Sequence, residues 1–572
     1  MTTAFRRKIF RLAPLLCAAA VFSVRAEAET SAASPAPESA RVVVVANADD
    51  PESLDVAAHY MRARGVPAEN LVALPMPRKE TLSWDEFSAK VFSPLRREFA
   101  ARGLIAGSVP EDAPADDFGR APLLVSEETL RKWCSVPDEK RIFCVVLCRG
   151  VPLRVANDAS RLPKIDEASG AKRGPLDVNC ASVDSEIALL GVPGTAANGA
   201  VVNPFFKENR EKSGAAKRIF FRVARLDGAT AADAKALVDN AVAAEKTGLL
   251  GRALIDLGGP HKEGDVWLGR CAETARALGF ETGVERSRAL ADADARYDAP
   301  ALYFGWYSGS VGGFFRDPNF RFPPGAVAIH IHSFSATSLR SRTAWTPGLV
   351  ARGATATVGN VFEPYLGMTH HPHLFLEALA AGMSAGEAAA YSIPVFSWQG
   401  VFVGDPLYRP FAKTPEAQMA AATGGLPTRL SQYAFLRAAN LAEASGNAAE
   451  AVRILKNGEM FAPGLALNFR LAEKEFAEKG ACSRAIPVRV PELENPGLML
   501  ETARLLAKAS RADDALKLYA DLLDRRLAPE FVREKVLREA CALARSRGAS
   551  APLSRWYPEL EMTSSKKGGV KK

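Results

Sequence analysis

The sequence predicts an α/β domain, a mainly parallel sheet sandwiched by helices, followed by an all-α domain. Three observations predict it. Short continuous apolar runs, VVVV (42–45), IFCVVLC (142–148) and ALYFG (301–305), read as strands covered on both faces. Amphipathic stretches alternate with such runs, the order that a parallel sheet requires. Past residue 428 the strand pattern stops and an Ala- and Leu-rich helical periodicity takes over.

The elements follow in order. Residues 1–26 read as a signal peptide: a basic start at Arg6–Lys8, an apolar stretch from Leu12 to Phe22, then small residues. Residues 27–40, rich in Ala, Ser, Pro and Glu, are expected as a flexible linker. The α/β domain is expected over 41–412. Its first strand is Val42–Val45, and Pro51 suits the first turn of a helix that Gly65 ends. Leu54, Ala57, Ala58 and Met61 fall on one face of that helix. A second strand is read at Leu71–Leu74. Residues 149–222 are irregular and read as a long excursion. Helices are expected at 232–245 and 266–280, and strands at 252–259, 301–305, 325–332 and 354–360. Residues 413–428 read as a linker, 429–560 as a helical repeat-like domain, and 561–572 as a basic disordered tail.

In the helical part, Ala439 and Ala451 are twelve apart, as are Ala503 and Ala515. Small residues at that spacing let paired helices approach closely. The pattern resembles the helix–turn–helix of tetratricopeptide repeats, with an ordinary helical bundle as the alternative. Because a Thr-, Pro- and Gly-rich stretch precedes it, this part is expected to separate from the α/β domain.

The net charge of +8 is a property of the ends. Without Arg6, Arg7, Lys8, Arg11, Arg25, Lys566, Lys567, Lys571 and Lys572, 64 bases face 65 acids. No concentrated basic surface remains, so no nucleic-acid partner is expected. No segment past the signal is long and apolar enough to span a bilayer. Past the signal there are seven cysteines, sparse and without a C-x-x-C, which is neither a disulfide scaffold nor a zinc knuckle.

Chemistry concentrates in AVAIHIHSFSATSL (326–339). Of seven histidines, two stand here and three more at His370, His371 and His373. On a strand, Ala328, His330 and His332 share one face, and Val327, Ile329 and Ile331 the other. Ser333 then leaves at the carboxyl end, the edge where open α/β sheets build sites. Other strands end with Asn47 and Asp49, with Trp306, Tyr307 and Ser308 between Gly305 and Gly309, and with Asn360 and Glu363. Three readings stay open. His330 and His332 could share a metal with the 370–373 histidines, although no carboxylate stands at a diagnostic spacing. Ser333 could be a nucleophile served by His332 or His330, although no G-x-S-x-G elbow is present. Or the histidines bond neighbouring backbone and loops as buried polar groups. The catalytic candidates are therefore Ser333, His332 and His330. The binding candidates are Trp306, Tyr307, Ser308, Asn360 and Glu363. No resident metal or cofactor is expected.

Several stretches carry a resemblance: VVVVANADDPESLDVAAHYMRARGVPAENL, CRGVPLRV, ASVDSEIALL, FGWYSGSVGGFF, FPPGAVAIHIHSFSATSLRS, LVARGATATVGNVFEPYLG and VGDPLYRP. Over 41–411 they resemble an exported bacterial family that accompanies the exosortase (PEP-CTERM) protein-sorting system. That resemblance implies a periplasmic or secreted location and a link to sorting or to envelope and exopolysaccharide systems. It implies no reaction. The order FGWYSG, HIHSFSA, TVGN, VGDP also resembles caspase-like and gingipain-like cysteine peptidases. There a Gly-His-Gly and a cysteine follow successive strands. Here Trp306 or Tyr307 stands where the histidine would be, and Ser333 near the cysteine's place, so that dyad is absent. The expectation is an exported binding or scaffold protein that meets a protein partner through its helical domain. The alternative is a hydrolase at Ser333 and His330/His332, with metal assistance as one variant.

Overall fold

The computed structural model describes residues 37–105, 141–162, 172–192, 199–211, 217–287, 290, 296–424, 428–483, 486 and 495–568. The expected signal peptide lies outside them. Ten strands form the central sheet: β1 (Val42–Asn47), β2 (Leu71–Leu74), β3 (Cys144–Cys148), β4 (Val223–Leu226), β5 (Arg252–Asp256), β6 (Thr282–Glu285), β7 (Pro300–Gly305), β8 (Val327–His330), β9 (Ala356–Asn360) and β10 (Gly400–Gly404). Their spatial order is β6-β5-β7-β8-β9-β10-β4-β3-β1-β2. The ladders are parallel from β6 to β9 and from β4 to β2. β10 runs against β9 over five residue pairs. It meets β4 at the single pair Val403–Arg225, too short a contact to define a ladder, so β9 sets its direction. Side chains across the carboxyl edge bear out a common direction for the rest. Arg340 beyond β8 donates to Asp227 beyond β4, and Ser338 donates to Glu80 beyond β2.

Every residue of β1, β3 and β7 is buried. Alternate side chains go to opposite faces: Val42 and Val44 join one core with Val327 and Ile329, while Val43 and Val45 pack in another. Ala328 points the other way from Val327, into a cluster with Tyr303, Phe314 and Trp345. Each Val so buried contributes roughly 1.5–3 kcal/mol, which is why unbroken apolar runs become strands clad on both sides. The helices start where the local chemistry asks. Asp50 caps Pro51–Arg64 by accepting from Glu52 N–H, and Gly65 closes it at φ 64°. Thr230 and Asp233 form a capping box on Ala231–Thr247.

Four expectations change. The histidine strand ends at His330, so His332 stands beyond the ladder as the chain turns toward Phe334 at φ 59°. The 149–222 excursion also holds small elements, including the helix Val183–Ile187 and the short pair Arg154–Val155 with Ala181–Ser182. The stretch expected as a linker carries the helix Pro415–Thr423. Thr414 caps it, and its Gln418, 3 % exposed, donates to Leu249 O and accepts from Arg437. A Thr-Pro start before a run of alanines favours a helix over a tether. Finally, the last helix runs over Ser550–Gly568, into the segment expected to be disordered.

Past residue 428, helices pair in sequence: Gln432–Ala444 with Ala448–Phe461, Pro496–Lys508 with Ala512–Asp524, and Glu530–Ser546 with Ser550–Gly568. Ala439, Ala451, Ala503 and Ala515 are all buried in one core. This region is joined to the sheet by polar and aromatic contacts. Tyr433 Oη donates to Asp298 at 2.5 Å, Arg437 Nε donates to Leu278 O at 2.7 Å, and Asn440 donates to Gly279 O. Among the described residues no helix is long and apolar enough to cross a membrane.

Candidate functional site

His330 closes β8 and is 2 % exposed. Its Nε2 accepts the Ser308 backbone N–H at 3.2 Å, and its Nδ1 lies 3.0 Å from Tyr303 Oη. Because Ser308 N–H must donate, Nε2 is the acceptor, and the ring proton sits on Nδ1, aimed at Tyr303 Oη. The ring stacks on Trp345 with centroids 3.5 Å apart and planes 12° from parallel. Burial pushes its pKa well below the ordinary value, so the ring is neutral. Trp345 Nε1 in turn donates to Ser308 O at 2.6 Å. His330 thus braces the Gly305–Gly309 loop from behind.

His332 is different. It is half-buried, and its ring lies 4.6 Å from that of Tyr307. Burial lowers its pKa, against a bond to the Ser333 backbone and the nearby Glu363 charge, which pull the other way. Asn360, at the end of β9, donates its backbone N–H to Ser335 Oγ, and its side chain bonds the Thr369 hydroxyl and His332 O. Glu363 accepts from Tyr365 N–H. Trp306 is buried, its Nε1 donating to Asp265 at 2.8 Å. The indole lies so close over Gly259 and Gly264 that a Cβ there would come within 2.0 and 2.1 Å of it. The Trp306–Tyr307 peptide is cis. Tyr307 is 47 % exposed.

These side chains enclose a cavity of about 260 Å³ at the carboxyl edge. Of the residues singled out in the sequence, it brings together Trp306, Tyr307, His332, Ser333, Asn360 and Glu363. It does not include His330 or Ser308, which lie behind the wall. Asn47 is remote in purpose as well as place: its side chain ties Met76 and Gly150 at the end of β1. His371 and His373 gather around Trp267, with ring centroids at 4.1 and 5.9 Å, rather than joining His332. Among the described residues no three His, Cys, Asp or Glu side chains are grouped to hold a metal ion. No described residue hydrogen-bonds the Ser333 hydroxyl to a histidine. The described cysteines are buried and unbridged, and burial pushes the thiols of Cys144, Cys148 and Cys271 up, away from thiolate.

Five cavity residues were missed in the sequence: His261, Tyr365 and Thr369, with the apolar Pro364 and Leu366. His261 had a signal, since it follows β5 at the same edge in LGGPH. Tyr365 had none, because its place depends on φ 59°. Chemically the cavity offers two imidazoles, a carboxylate, an amide, the hydroxyls of Ser333 and Thr369 and the aromatic side chains of Trp306, Tyr307 and Tyr365. That set suits an amphipathic guest held by stacking and a few hydrogen bonds.

No protein-family model matches the chain, and no curated protein matches it in sequence. A solved structure described as "Structure of Protease" is similar with a TM-score of 0.35 and 11 % identity, covering 65 % of this chain and 79 % of that one. A likeness so distant assigns neither a family nor a chemistry.

Proposed function

We propose that this chain is an exported binding protein of the periplasm or cell surface, serving protein sorting or envelope assembly, and not a working peptidase. One observation carries the reading. Among the described residues no base is bonded to the Ser333 hydroxyl, while His330 has both ring nitrogens engaged inside the wall. A nucleophile needs a base within hydrogen-bond reach, so neither residue is poised for acyl transfer. The sequence resemblance to the exosortase-associated family supports the location. The strand-end motifs support a caspase-like α/β domain without its dyad. Paired helices with small residues at 439, 451, 503 and 515 support a tetratricopeptide-like helical region, a fold that presents surfaces to polypeptides.

Hydrolysis is the second reading, favoured by one feature. His332 is held neutral and shares the cavity with Ser333, Asn360 and Glu363. The two readings part in a labelling experiment. A fluorophosphonate probe on the full chain is expected to leave no adduct. A stoichiometric adduct on Ser333, lost in His332→Ala, would make the protein a serine hydrolase.

A further inference from the structure

A second concavity, about 790 Å³, lies where the loops entering β7 and β8 face the helical region. That is the amino edge of the sheet, opposite the cavity at His332. Its volume falls in the range of sites that enclose sizeable ligands. One wall is Ala299 and the 317–324 loop. The other is the amino ends of three helices, Gln432–Ala444, Leu465–Lys479 and Pro496–Lys508, each at least 13 residues long. Helix amino ends carry partial positive charge, but here Gln432 Oε1 already accepts from Ala466 and Leu467 N–H and Asn495 Oδ1 from Gly497 and Leu498 N–H, so the cations of the cleft are side chains. Arg321, Arg429 and Arg526 line the same cleft.

The two acids in the lining do not cancel that field equally. Asp298 is held by Arg296 and Arg252 from behind and by Tyr433 Oη–H. Asp317 is buried, accepting from Tyr297 Oη–H and Asn319 N–H. The side chain that points to a guest is Asn468. It is 4 % exposed and lines the cleft, and its amide hydrogen-bonds no other described residue. Backbone strain points to the same place. Ala299 at φ 41° and Arg526 at φ 54° stand on facing walls, and left-handed non-glycine residues cluster at ligand clamps.

The rest of the lining mixes the amides of Asn319, Gln432 and Asn495 with the aliphatic Pro323, Pro324, Pro463, Leu498 and Leu527. The rings of Tyr433, Phe320 and Phe322 are buried and offer no open face for a sugar to stack on. We propose that this cleft binds an extended acidic peptide, its carboxylates toward Arg321, Arg429 and Arg526, and its main chain bonded to Asn468. The proposal rests on the binding-protein reading in expecting a polypeptide partner, but it does not involve the cavity at His332.

The experiment uses the full chain, immobilised, with a random octapeptide library and, separately, oligogalacturonate. The expected result is recovery of peptides enriched in Asp and Glu and released by about 0.5 M salt. A fluorescent recovered peptide should bind the double variant Arg321→Glu, Arg526→Glu at least about tenfold more weakly, and Asn468→Leu similarly. Tyr307→Ala, in the other cavity, should leave its affinity unchanged. That control separates the two sites: loss through Tyr307→Ala alone would move binding to the His332 cavity and overturn the cleft. Recovery without acidic bias, no recovery, full affinity in the double variant, or capture of oligogalacturonate in place of peptide would each overturn it too. Both Arg substitutions are at exposed positions, and an unchanged thermal midpoint shows that the variant is folded.

Discussion

The His330 ring is bonded at both nitrogens and covered by Trp345, whereas the His332 ring meets Tyr307 and the open cavity. Removing each imidazole therefore has a different cost. His330→Ala strands Tyr303 Oη and the Ser308 N–H and leaves a void against Trp345. The expected loss is about 3 kcal/mol in urea unfolding. His332→Ala, half-exposed, should lose about 1 kcal/mol or less. Equal losses would mean that His330 is no brace. The two-residue period of a strand made both histidines legible as sharing a side. It could not show that Trp345, from a different element, would cover one of them and leave the other to the cavity. A single tryptophan in TAWTP has no period to read, so the split between a structural and a site histidine was invisible in the sequence.

At the scale of elements, His371 and His373 at the head of helix Pro372–Ala380 stack against Trp267 of the helix Lys262–Ala277 and against each other. The Nδ1 atoms of His370 and His373 are buried without a partner among the described residues. Burial pushes His370 down to about 3 and His373 to about 4. Both are neutral in the folded chain and would take a proton near pH 6.5 when unfolded. Folded pKa values below the unfolded one mean that stability is whole above about pH 6.5 and falls as the pH drops toward 4. Each such histidine adds a slope of up to about 1.4 kcal/mol per pH unit in that window. Urea titrations at a series of pH values should show this fall, and His370→Gln should flatten it. An unchanged slope in that variant would assign the acid sensitivity elsewhere. Strands such as β1, β3 and β7 were legible because burial on both faces demands unbroken apolar residues. β6, reading TGVE at the sheet edge and only half-buried, has no such demand and gives no such run. The helix Pro415–Thr423 was legible in its Thr-Pro cap, but the turn-forming residues after it outweighed that signal.

At the scale of the whole molecule, sheet and helices share a packed seam beside the amino-edge cleft. The Arg437 guanidinium lies 4.7 Å from the centroid of Phe280 and 5.9 Å from that of Phe411, and its Nε bonds Leu278 O. Burial brings its pKa down to about 10, still well above neutrality, so it stays charged while largely enclosed. Gln418 bonds both Arg437 and Leu249, which stitches the connecting helix into the same seam. A chain divided at 413–428 would leave these groups unpaired on one side and aromatic rings bare on the other. The two parts are therefore expected to behave as one body, not as the separable pieces that the composition of 413–428 suggested. Trypsin can cut at Lys413 and Arg429, both exposed, only once the helix between them lets go. Native protein should resist those cuts. Arg437→Ala removes the bond to Leu278 O and the cation over two rings, roughly 2–4 kcal/mol of local stability. In that variant, fragments ending at Lys413 or beginning after Arg429 should appear first in a digest, ahead of cuts within the sheet. Equal rates in the native chain and the variant would mean that the seam does not hold the connecting helix, and that the helical region is tethered rather than docked.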